Sequence, residues 1–268
     1  MAGNEKRETG DEEWGTEVEG PLLASRFSLP QQFLVRLHRD RVTVSVDSSG
    51  ELLHRRGYRQ QIGKAPLRET LAAAMLLSSG WDGAGPLVDP FCGSGTIPIE
   101  AALLARNIAP GIKRSFAFER WPEFDAAEWG TVKEQAVNGE RSTVNGVICG
   151  SDRDAGAIAA SRANAERAGI AADIDFQEQP LSALRTTGLA TNGWLLTNPP
   201  YGVRIGEEAK LRDLYASLGS VARERLPGWT VGLLGANPAL EGQIGLPLRS
   251  HFETENGGIT VRFVVGRC

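Results

Sequence analysis

From residue 33 onward, short apolar runs alternate with longer stretches of helical period. Residues 33–37 and 42–46 alternate in and out around His38-Arg39-Asp40-Arg41, which predicts two strands joined by a turn. Pro66 suits a first helical turn, and Leu67, Leu71, Ala74, Met75 and Leu77 follow near helical spacing, closing at Ser78-Ser79-Gly80. Residues 86–89 then form a brief strand, residues 90–96 a glycine-containing turn, and residues 96–107 an apolar helix. Strand, glycine turn and helix in that order are the opening unit of a doubly wound α/β fold. Further strands are predicted at 147–150, 174–176, 194–197 and 229–234, with helices at 155–167 and 208–225 between them. Asn256-Gly257-Gly258, between strand-like runs at 251–254 and 259–265, marks a closing hairpin.

Two segments break this rhythm. Residues 110–145 carry Phe116, Phe118, Trp121, Phe124 and Trp129, with a helix from about Ala126, and are expected to be an insertion packing on one side of the sheet. Residues 1–32 are acidic and poor in apolar positions, so they are expected to be largely disordered. The resulting division is an acidic segment over 1–32, a short β-rich and basic piece over 33–65, and the α/β domain over 66–268.

Composition adds limits. The chain has 268 residues, 41% of them hydrophobic, enough for a substantial core. No apolar run reaches the roughly 20 residues needed to span a bilayer, and the acidic N-terminus is unlike a signal peptide, so no membrane partner is expected. Cys92, Cys149 and Cys268 are widely spaced and odd in number, which indicates neither a disulfide framework nor a zinc site. No metal is therefore expected, and a reducing cytoplasm is the simplest compartment. Net charge is -4, distributed unevenly: residues 1–20 hold seven acids and two bases, whereas residues 35–68 hold eight Lys/Arg and three Asp/Glu. The basic stretch is a candidate contact for a polyanion; its plainer reading is a solvated face.

The candidate chemistry gathers around Asn198-Pro199-Pro200-Tyr201, directly after the apolar run 194–197. Two prolines end a strand, because neither can donate to a ladder. They leave a stiff lip carrying an amide and an aromatic ring. The Asn198 oxygen and a proline carbonyl can accept two hydrogen bonds from an NH2 group, and Tyr201 can stack on the ring that bears it. In the glycine turn, Gly93 and Gly95 allow close backbone approach, while Asp89 at the strand tip discourages an anion and suits an ammonium or sulfonium. Asp152, at the end of the next strand, is placed to hold a ribose diol or else to cap the helix that follows. The 57 residues between Gly95 and Asp152 exceed the usual gap of about 20, a difference explained by the 110–145 insertion. Together these parts fit S-adenosylmethionine beside an amine acceptor.

Three blocks, DPFCGSGTIPIEAALLARNIAPG, GSDRDAGAIAASRANAERAG and TNPPYGVRIGE, resemble the signature blocks of THUMP-associated RNA (guanine-N2-)-methyltransferases, the large-subunit ribosomal RNA group and its transfer-RNA relatives. The resemblance runs from about residue 33 to the end. It implies a class I methyltransferase fold, Rossmann-like, with a mostly parallel seven-stranded sheet ending in an antiparallel hairpin and preceded by a short β-rich remnant. It also implies adenosylmethionine contacts at Asp89, Gly93, Gly95, Thr96, Asp152 and Asn198, a target-base clamp of Asn198, Pro199, Pro200 and Tyr201, and an RNA substrate, ribosomal rather than transfer RNA. The residues ahead of the linker accommodate only the last strands of a THUMP domain, so either the chain is a fragment or another component captures RNA. Adenine in DNA, a protein glutamine, or a non-catalytic RNA-binding remnant are the alternatives; neither the modified nucleotide nor the oligomeric state is legible.

Overall fold

The computed structural model describes residues 31–60, 67–138, 146–184, 190–201 and 208–268. The acidic N-terminal segment through residue 30, the helix start at Pro66 and the GVRIG continuation of the proline edge lie outside these. Described residues fall into two compact units.

The smaller unit comprises residues 31–52 and 115–128. Strands β1 (Phe33–His38) and β2 (Arg41–Val46) pair antiparallel as predicted, and Arg39 and Asp40 turn between them with φ of 46° and 59°. The aromatic insertion belongs with this hairpin: Phe118 N–H donates to the Ser48 carbonyl at 3.2 Å and the Trp121 indole to Gln31 at 2.9 Å. The structure thus groups residues 115–128 with the N-terminal strands, whereas the sequence pattern placed them on a sheet face.

The larger unit, residues 53–114 and 129–268, is the α/β domain. Its strands are β3 (Leu87–Asp89), β4 (Ile148–Asp152), β5 (Ile174–Glu178), β6 (Trp194–Thr197), β7 (Thr230–Gly235), β8 (Arg249–Asn256) and β9 (Ile259–Arg267). They form one sheet in the order β5-β4-β3-β6-β7-β9-β8, parallel except for the antiparallel pairs β7–β9 and β8–β9. Glycines at 257 and 258, with φ of 61° and 78°, make the tight turn of the last hairpin. Parallel strands covered on both sides read as unbroken apolar runs, and β3, β6 and β7 are buried almost throughout.

Side chains alternate across the sheet and feed two cores. Leu87, Ile148, Leu196, Leu234 and Phe263 pack with helices α1 (Glu69–Ser78), α2 (Thr96–Ala105) and α4 (Ala155–Ala168). Val88, Leu195, Leu233 and Val264 pack with α5 (Glu208–Arg225) and the short α6 (Pro238–Gly242). Helix α3 (Ala126–Asn138) is the helix expected within the 110–145 insertion.

The described part of the basic segment from Leu53 onward groups with the larger unit. The cause is an ion-pair network that ties the basic segment into the larger unit. Arg56 meets the Glu100 carboxylate at 2.6 Å, Tyr58 donates to the other Glu100 oxygen at 2.8 Å, and Arg59 pairs with Glu69 at 3.2 Å. Arg59 also donates to the Leu67 carbonyl. Helix α2 is buried nearly all round, so Glu100 on it needs these partners. Burial still pushes the Glu100 carboxyl up to about 7, against the opposing pull of Arg56 and Tyr58.

Candidate active site

Strand order reverses its direction of growth between β3 and β6, and ligands of open α/β sheets bind beyond the carboxyl ends of strands at such a switch point. Three predicted residues stand there. Asp89 ends β3, Asp152 ends β4, and Asn198 follows β6. A side-chain bond spans the switch itself: Thr197 donates its hydroxyl proton to Asp89 Oδ1 at 2.6 Å. The Phe91 amide donates to the same oxygen at 3.1 Å. Asp89 is 1% exposed, and this burial, opposed by the two hydrogen bonds and reinforced by the nearby Asp152 charge, raises its pKa to about 7.

Asp152 shapes the turn from the other side. Its Oδ2 accepts the Gly93 amide at 3.1 Å and its Oδ1 the Asp154 amide at 3.0 Å. The helix cap is a different residue, Asp154, which accepts from the Gly156 and Ala157 amides. Asp152 is therefore free of the capping role and stays half-buried in the crevice.

The two glycines of the turn differ in what surrounds them. Gly93 has φ of 53° and a Cβ there would meet nothing within 4 Å, so it borders open space. Gly95 has φ of 83° and a Cβ there would sit 3.0 Å from Ser161 and 3.2 Å from Phe176, so it is a packing position; its own amide donates to the Cys92 carbonyl at 2.7 Å. Thr96 opens α2 buried, and its hydroxyl accepts from Arg59 at 3.2 Å. Helix α4 grips the turn through two residues that sequence reasoning passed over: Ser161 donates to the Gly93 carbonyl at 2.7 Å and Asn164 to the Ser94 carbonyl at 3.0 Å. The signal in the sequence was only their spacing, two polar side chains three apart on a helix; their complete burial comes from the structure.

At the proline edge Pro199 is buried, Pro200 exposed, and Asn198 and Tyr201 half-buried. Asn198 Oδ1 is a buried atom with no hydrogen-bond partner among the described residues. A buried acceptor left without a donor costs about 1–3 kcal/mol, so among the described residues this oxygen is open to a donor that a ligand could bring. Tyr201 packs against the core cluster containing Leu196 and Phe263, and its hydroxyl accepts from Asn256 at 3.1 Å. A cavity of about 240 Å³ beside α6 contains none of these residues, and its two charged lining groups, Glu241 and Arg262, pair with each other.

Residues 56–263 match the family described as UPF0020, RMKL-like methyltransferase domain. The chain belongs to this family. Among curated relatives of this RMKL-like domain, a Synechocystis protein named putative RNA methyltransferase slr0064 is 42% identical over 224 residues, covering 83% of this chain and 58% of the relative. The ribosomal RNA large subunit methyltransferase K/L of Alteromonas mediterranea is 42% identical over 230 residues, covering 85% and 33%. Among solved structures, SMU.472, a putative methyltransferase complexed with SAH, superposes with a TM-score of 0.81 at 33% identity over 88% of this chain and 61% of that one. The RMKL-like chain thus spans between a third and three-fifths of the length of these proteins. The fold is that of class I methyltransferases, as the motif blocks implied. Among the described residues no helix is long and apolar enough to cross a membrane, and no group of three or more His, Cys, Asp or Glu is arranged to hold a metal ion.

Proposed function

We propose that the chain transfers a methyl group from S-adenosylmethionine to the exocyclic N2 of a guanine in RNA, ribosomal RNA before transfer RNA, in the cytoplasm. The observation that carries this reading is the orphaned Asn198 Oδ1 at the carboxyl end of β6, beside the Thr197–Asp89 bridge. A buried acceptor with no donor among the described residues fits a substrate that brings N–H groups, and a guanine amine brings two.

The residues present fit the cofactor. Gly93 leaves space where a ligand can approach the backbone, Asp152 offers a half-buried carboxylate at the carboxyl end of β4 to hold a ribose diol, and Asp89 supplies negative charge for a cationic methionine end. Gly95 and Thr96 serve by holding the turn and the start of α2 in shape. Bound adenosylmethionine supplies an electrophilic methyl group.

Asn198 and a proline carbonyl accept the two amine hydrogens, which turns the nitrogen lone pair toward the methyl. Prolines at 199 and 200 keep this edge from yielding, and Tyr201 stacks on the base. An amide cannot act as a general base, so Asn198 orients the amine and the proton released after transfer passes to water. The basic segment contributes less to RNA capture than its charge count implies, because Arg56 and Arg59 are engaged in internal ion pairs.

The test is methyl transfer from labelled adenosylmethionine to unmodified ribosomal RNA, transfer RNA and DNA, followed by nucleoside analysis. Label in N2-methylguanosine is expected. Label confined to N6-methyladenine of DNA overturns the guanine reading.

A further inference from the structure

Strand β8 is exposed or half-buried at every position except its last, Asn256, which is 7% exposed. A buried amide at the tip of an exposed edge strand needs a reason. Turn chemistry does not supply it. The two residues with positive φ are Gly257 and Gly258, and Asn256 itself is in register with Ile259 as part of the ladder. Its side-chain amide instead donates across 55 residues of sequence to the Tyr201 hydroxyl at 3.1 Å.

We propose that Asn256 is a positioning residue that fixes the ring of Tyr201 for stacking on the target base; the role in catalysis rests on the function proposed above. Tyr201 follows Pro200 and is only half-buried, so the ring's inner side packs on the core while the rest stays open. Packing alone leaves an aromatic ring free to swing about its Cα–Cβ bond. A hydrogen bond at the hydroxyl, farthest from the backbone, removes that swing most effectively. The anchor is rigid, since seven of the eight residues of β8 pair with β9, the last five of them in unbroken register up to Asn256, and the glycine turn sets where Asn256 stands. The antiparallel hairpin that closes the sheet therefore does more than cover an edge: its tip holds the target-base ring in place.

The test is a double-substitution cycle on the full chain, with Asn256→Ala, Tyr201→Phe and the pair. Transfer is measured with unmodified ribosomal RNA, and S-adenosylhomocysteine affinity and thermal midpoint are measured alongside. Each single variant is expected to lose about 3- to 10-fold in kcat/KM for RNA, the range of one neutral hydrogen bond. The pair should lose no more than the worse single, because both remove the same bond. Asn256→Asp, whose carboxylate can accept from the tyrosine hydroxyl, should recover most of the loss. S-adenosylhomocysteine affinity should be unchanged throughout. Multiplying losses in the pair, or losses that follow the thermal midpoint, overturn the proposal. A second readout needs no RNA. The chain has three tyrosines, so ring-labelled tyrosine spectra of Asn256→Ala should shift the Tyr201 signals alone. Unshifted Tyr201 signals overturn the proposal. Wild-type protein that methylates no RNA overturns the guanine reading instead, and the tyrosine spectra still decide Asn256.

Discussion

Protonation of the buried Asp89 carboxyl should govern how tightly the cofactor binds. Its pKa stands at about 7 in the protein against 3.8 in a free side chain, because burial outweighs the bonds from Thr197 and Phe91. A raised carboxyl binds a proton in the folded state that the unfolded chain has already released. Its contribution to stability is full below about 3.8 and is lost as pH rises through 7, so at pH 8 the ionised group costs up to roughly 4 kcal/mol. If that charge exists to meet the cofactor's cation, binding requires the ionised form. Relative to pH 7.5, affinity for adenosylmethionine then falls about eightfold at pH 6 and about 75-fold at pH 5, in proportion to the ionised fraction. Asp89→Asn should bind weakly with no such slope, and the unliganded variant should unfold at higher denaturant at pH 8. Glu100, also near 7, is the control: Glu100→Gln should keep the slope. Calorimetric titration across pH 5 to 7.5 measures all three proteins. A flat wild-type profile, or an equal slope in Asp89→Asn, refutes the role given to this carboxyl.

Two further outcomes follow from the same geometry. Asn198→Ala should reduce turnover at least about 100-fold while cofactor affinity is retained, since orientation of the amine is lost and the cofactor turn is untouched; binding titration beside single-turnover transfer separates the two. Arg56→Met leaves Glu100 buried without its cation; protonating a carboxyl that titrates at about 7 costs only about 1.4 kcal/mol at pH 8, so with the lost contact chemical denaturation should show a loss of about 2–3 kcal/mol at pH 8. That loss should shrink by pH 6, where Glu100 takes up a proton.

Much of this molecule was readable as pattern. The strand–turn–helix unit at residues 87–105 announced itself because local chemistry makes it: a buried apolar run, glycines at positive φ and an apolar helix. The proline edge was equally local. What the pattern missed is long-range. Arg55, Arg56 and Arg59 look like a surface charge run until Glu100, more than 40 residues away, is seen beneath two of them. The aromatic insertion gave no hint that its partner was the N-terminal hairpin, since an unpaired cluster of rings does not say which surface it covers. Gly93 and Gly95 are indistinguishable in a motif, yet one faces open space and the other Ser161 and Phe176. Asp152 and Asp154 sit two apart, and either could have capped α4; only coordinates assign that role to Asp154. Asn256 was read as a turn residue because Asn-Gly is a turn signal, and the glycines turned out to need no help.

The amine acceptor is the centre of the account, and it can be removed without touching the protein. Inosine is guanosine without its exocyclic amine. Ribosomal RNA transcribed with inosine in place of guanosine should accept no methyl group from labelled adenosylmethionine, while the guanosine transcript is methylated. Equal labelling of the two transcripts would contradict the assignment of N2 as the acceptor and of Asn198 as the residue that presents it.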